Sequence, residues 1–145
     1  WGGLGVAACW SGGAAGVVDV LTEWAGRHRD DPIAMMHLGR ADIARQATDW
    51  ALDRAAELVD SGAANGAAGA VLALQVRSIA AVSVETVLRS AGHALGPAPL
   101  AFDEPYARRV ADLELYVRQH HGERDLAALG SALLESRLDS RLESQ

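Results

Sequence analysis

The sequence predicts an all-α, up-down helical bundle, and three observations carry that prediction. Between Val71 and Gly96 only Arg77, Glu85 and Arg89 bring charge into a run of Val, Leu, Ile, Ala and small polar residues. A helix that is apolar nearly all round must be wrapped by other helices on most sides. The flanking segments repeat apolar residues at helical spacing, and none shows the alternation of a strand. At 145 residues the chain is long enough to bury one substantial core.

The first helix carries Trp10, Ala14, Val17, Leu21 and Trp24 on one face. Gly12, Gly13 and Gly16 lower its intrinsic propensity and let a neighbouring helix come close. Arg27 to Asp31 forms a charged turn, and Asp31-Pro32 starts the second helix with Asp as cap and Pro in the first position. That helix repeats Met36, Ile43 and Trp50 at heptad spacing, with Ala44, Ala51 and Leu58 beside them, which predicts the inward stripe of a bundle. Asp60-Ser61-Gly62 ends it.

The apolar third helix should run to the glycine-bearing break Ala91-Gly92-His93-Ala94-Leu95-Gly96-Pro97, followed by an extended or turning Pro97-Ala98-Pro99. A fourth helix from about Glu104 to His121 presents Val110, Leu113, Tyr116 and Val117. Gly122 interrupts, and Glu123 onward continues helical with Leu126, Leu129, Leu133, Leu134, Leu138 and Leu142. Residues 1–145 therefore form one bundle domain, with 135–145 a polar helical tail of alternating charge that is either solvated or docks a leucine edge.

The composition excludes several function classes. A net charge of −6 argues against nucleic acid or an anionic membrane as the main partner. No uncharged run reads as a convincing membrane span. The opening Trp1-Gly2-Gly3-Leu4-Gly5 lacks the basic region of a signal peptide. Cys9, the sole cysteine, can form no disulfide within the chain; a reducing cytoplasm and an inert, packed thiol are expected.

Few residues offer chemistry of their own. His121 and Asp125 at i, i+4 could supply two metal ligands, but His28, His37 and His93 lie in separate segments and no Glu-x-x-His motif is present, so no metal site is expected. Glu85 and Arg89, spaced i, i+4 on the most apolar helix, suggest a buried or half-buried ion pair. Phosphate-loop and nucleophile-elbow motifs are missing.

Three stretches nevertheless resemble the C-terminal helical domain of the acyl-CoA dehydrogenase family and its flavin-monooxygenase relatives, over about Leu4 to Leu134. The first is Arg27 ahead of Pro32-Ile33-Ala34, with His37 in the place of the family's Gln and Ile43-Ala44, Ala47-Thr48 in its Leu-Ala-Asp-Met-Ala-Thr, where Arg45 replaces the Asp. The second is Ser90-Ala91-Gly92-His93-Ala94-Leu95, similar to Leu-Ala-Gly-x-x-Ala-Leu, with Arg89 where the dehydrogenases have Gln. The third is Pro105-Tyr106-Ala107-Arg108 with Asp112, where Ala111 replaces a second Arg.

The resemblance implies FAD as cofactor, with Arg27, Arg89 and Gly92 at its diphosphate and adenosine part. A guanidinium can pair with a diphosphate, and glycine lets backbone approach it. It also implies a homo-oligomer through the bundle, an acyl thioester substrate, and N-terminal and β domains that this sequence lacks, so that the chain reads as a C-terminal fragment or stand-alone relic with no activity of its own. His120 stands near the family's catalytic Glu and is the one candidate base. The polar His121-Gly122-Glu123-Arg124-Asp125 beside it favours a surface or interface residue instead. The alternative function is a non-enzymatic helical assembly or ligand-binding module.

Overall fold

The computed structural model describes residues 2–143, except the side chains of 138–140, 142 and 143. Among the described residues the secondary structure is entirely helical: α1 (Gly2–Arg27), α2 (Pro32–Asp60), α3 (Gly66–Leu95), α4 (Ala98–Phe102), α5 (Glu104–Val117) and α6 (Glu123–Glu143). The predicted all-α bundle is thus the observed architecture.

Helix boundaries follow local chemistry. Asp31 caps α2, its Oδ1 accepting the Ile33 N–H at 2.8 Å with Pro32 in the first turn. Asp103 caps α5 the same way through the Tyr106 N–H at 3.1 Å. The glycine that ends α3 is Gly96, at φ 67°, its N–H donating to the Gly92 carbonyl at 3.1 Å. Gly92 itself is an ordinary helical residue, so the expected break begins four residues later. The Pro97-Ala98-Pro99 stretch leads into the short α4 rather than an extended segment, because Pro at the start of a helix gives up no needed donor. α5 stops at Val117, four residues before the expected end; the Arg118, Gln119 and His120 N–H groups bond back three residues in a tight turn that closes on Gly122 at φ 38°.

α1, α2, α3 and α5 run up, down, up and down. Ser11 Oγ donates to Asp49 Oδ1 at 3.1 Å across α1 and α2, and Ser83 Oγ to the Ala44 carbonyl at 2.8 Å across α3 and α2. The glycines of α1 take the close approach of α5: a β-carbon at Gly13 would lie 2.9 Å from Leu113 Cδ1, and one at Gly16 would lie 3.0 Å from the Arg109 guanidinium, which donates to the Gly16 carbonyl at 2.8 Å. α6 continues past the turn and packs on α3 alone among the main contacts.

The α1 face is buried as predicted: Trp10, Ala14, Val17 and Leu21 fully, Trp24 in part. On α5, Leu113 and Val117 are buried. α2 departs from expectation. Its buried residues are Ala34, His37, Ala41, Thr48 and Ala55, while the heptad stripe faces out, with Ile43 72% and Trp50 69% exposed and Met36 exposed too. Small residues let α2 lie close to α1 and α3, so the bulky ones are displaced to the far side. α3 is also less wrapped than predicted: Val82 is 64% exposed and Ile79 is exposed beside it. By length and composition alone α1 and α3 could each cross a membrane, a test that the core helix of a soluble protein passes too. Cys9 is exposed rather than packed. Of the tail leucines, the side chains of Leu138 and Leu142 lie outside the described residues.

Candidate functional site

Because α1 and α3 are parallel neighbours, their C-terminal turns share one end of the bundle with the start of α2. Arg27 is the last residue of α1, and Arg89 and Gly92 lie in the last two turns of α3. All three are exposed. A β-carbon on Gly92 would meet nothing within 4 Å, so packing within the chain does not require glycine there. The expected Glu85–Arg89 pair is absent. Both side chains are exposed, and Glu85 lies instead 4.0 Å from Arg118. Five residues beyond α5's cap, Arg108 pairs with Glu104 and, among the described residues, not with Asp112.

The same end brings two histidines together. His37 and His93 meet edge to face, ring centroids 5.7 Å apart. His37 is buried and its Nδ1 has no hydrogen-bond partner. His28 stacks on Trp24 at 4.1 Å, with its Nδ1 2.8 Å from the Trp24 carbonyl.

Halfway along the bundle, the turn after α5 builds a second group. His120 is not the surface residue its polar neighbours suggest. Its side chain is 10% exposed, its ring meets Trp10 edge to face at 6.1 Å, and its Nδ1 lies 3.0 Å from Asp125 Oδ2, itself on a side chain 17% exposed. Trp10 also meets Tyr116 edge to face at 6.1 Å and carries the Arg77 guanidinium 5.6 Å above its ring. Arg77 in turn donates to the Gln119 carbonyl at 3.1 Å, which fixes the turn. The expected i, i+4 partner of Asp125, His121, is exposed. Gly122 turns the chain so that the residue five back, not four, reaches Asp125; helical spacing gives no sign of this pair. Among the described residues no group of three or more His, Cys, Asp or Glu could hold a metal ion.

Comparison with known proteins finds no matching family model, no matching curated protein and no matching solved structure.

Proposed function

We propose that this chain is the C-terminal helical domain of an FAD-dependent, acyl-CoA dehydrogenase-like oxidoreductase, contributing one wall of the flavin site and the contact between subunits. The observation that supports the reading is the position of Arg27, Arg89 and Gly92. These residues come from segments about sixty positions apart, yet the parallel course of α1 and α3 puts them at one end, exposed, with Arg89 in no ion pair among the described residues. Free guanidinium groups and an unhindered glycine toward one end of the bundle suit a diphosphate. In the intact protein a bound flavin would supply the hydride chemistry for an acyl thioester, N-terminal and β domains would complete the site, and the domain would work in the cytoplasm without nucleic acid or membrane. Its net charge of −6 fits that setting.

The test is flavin retention. Arg89→Ala in the intact protein should weaken FAD binding about tenfold or more, the loss of a charge-assisted bond to phosphate costing about 1.5–3 kcal/mol. Because Glu85 does not depend on Arg89, the melting temperature should stay put. Unchanged flavin content in the folded variant rejects the assignment.

A second reading, a non-enzymatic assembly module, draws on the apolar face of Ile43, Trp50, Ile79 and Val82 that α2 and α3 leave exposed. It shares the homo-oligomer with the first. Yellow flavin absorbance of the purified intact protein separates the two.

A further inference from the structure

We propose that His120 and Asp125 form a proton-accepting pair, in which His120 Nε2 takes an acidic hydrogen from a small polar molecule bound in the cleft between α3 and the α5–α6 turn. The site goes beyond the flavin reading and stands without it.

The geometry begins with the imidazole. Asp125 Oδ2 lies 3.0 Å from Nδ1, within ion-pair distance though off the hydrogen-bond direction, and both atoms are sealed from solvent without a hydrogen-bond partner. The negative charge of a carboxylate this close to one ring nitrogen favours the proton on that nitrogen and leaves the lone pair on the other. Nε2 has no hydrogen-bond partner among the described residues and, unlike Nδ1, is not sealed off. His120 lines a cleft of about 350 Å³ together with Ala81, Glu85, Arg118, His121, Glu123 and Arg124. Nε2 is therefore the ring atom that an occupant of the cleft can reach.

The surroundings set both the orientation and the substrate class. Trp10 from α1 packs edge to face on the ring and Tyr116 from α5 packs on Trp10, so aromatic side chains hold the imidazole in place. Opposite charges line the cleft in near balance: Arg118 faces Glu85 at 4.0 Å, and Glu123 adjoins Arg124. That lining favours a small polar molecule without large net charge. Its acidic hydrogen sits on oxygen, on sulfur or on a carbon next to a carbonyl. The X–H bond breaks, the Nε2–H bond forms and the electron pair stays on X. The imidazolium so formed lies against the Asp125 carboxylate, which compensates a buried charge. Arg77, the nearest cation from α3, is directed over Trp10 and to the Gln119 carbonyl instead. In this pair Asp125 is the positioning residue.

The alternative is that the pair only clasps α6 to the bundle. Diethyl pyrocarbonate separates the two, because it reports a free, basic ring nitrogen: Nε2 bonds to the acyl carbon, the anhydride C–O bond breaks, the Nδ1 proton leaves, and ethyl carbonate departs to give carbon dioxide and ethanol. The whole chain carries its own controls, exposed His121 and buried His37, which has no carboxylate partner among the described residues. His120 should react at a rate close to that of His121 and far above that of His37. Asp125→Asn should slow His120 about tenfold relative to His121, and Asp125→Glu should restore the rate. Nitrogen-15 spectra should place the proton of neutral His120 on Nδ1. His120 as inert as His37, a rate unaltered by Asp125→Asn, or the proton found on Nε2 would each overturn the proposal. Should Asp125→Asn fail to fold, the wild-type rate and tautomer still decide it.

Discussion

Replacing Trp10 tests the packing that joins the bundle to the turn carrying His120. The indole is fully buried in the contact of α1, α3 and α5, against Tyr116, His120 and Arg77. Truncation of such a residue to alanine costs about 3–5 kcal/mol from lost burial and the cavity left behind. The two edge-to-face contacts and the cation above the ring place it at the upper end of that range. Trp10→Phe should behave differently. The indole Nε1 is buried without a hydrogen-bond partner, so removing it relieves an unsatisfied donor worth about 1–3 kcal/mol. That relief offsets most of the area lost with the smaller ring, and the net change should stay within about 1.5 kcal/mol. Urea unfolding followed by far-ultraviolet circular dichroism measures both. A cost for Trp10→Ala below about 2 kcal/mol would refute the description of the indole as the centre of this core. Equal costs for the two variants would refute the unpartnered Nε1.

Two further outcomes follow from the same structure. Gly12 is helical, exposed and open to a β-carbon, so Gly12→Ala should stabilise by about 0.5–1 kcal/mol, whereas Gly16→Ala pushes the Arg109 guanidinium off the Gly16 carbonyl and should forfeit that gain; identical urea midpoints for the two would contradict the α1–α5 contact. Burial, reinforced by the nearby Asp103 carboxylate, raises the Tyr106 phenol above its ordinary 10.0, so the folded state favours the neutral form: stability is intact below pH 10 and falls as pH rises through the folded value. Absorbance of tyrosinate should show a late-titrating component that Tyr106→Phe removes, and its persistence in that variant would assign the effect elsewhere.

The sequence by itself determined the helical class, the caps at Asp31, the boundary at Asp60 and the buried faces of α1 and α5, because each is a short-range property: a side chain reaching its own backbone, or a stripe with one apolar side. α2 shows where periodicity stops. Its residues offer two faces, Met36, Ile43 and Trp50 on one and Ala34, Ala41, Thr48 and Ala55 on the other. Hydrophobicity selects the first, but how closely the helices pack selects the second, and that distance is set by neighbours far along the chain. The Glu85–Arg89 spacing was equally plain, yet Glu85 turned toward Arg118 once the α5–α6 turn came alongside α3. That Arg27, Arg89 and Gly92 lie toward one end of the bundle needed the parallel course of α1 and α3. The approach of Asp125 to His120 needed a backbone turn at Gly122 that breaks helical register. Tertiary structure alone decided these placements, because each depends on where a distant segment or an irregular turn delivers a residue, and no local spacing encodes that position.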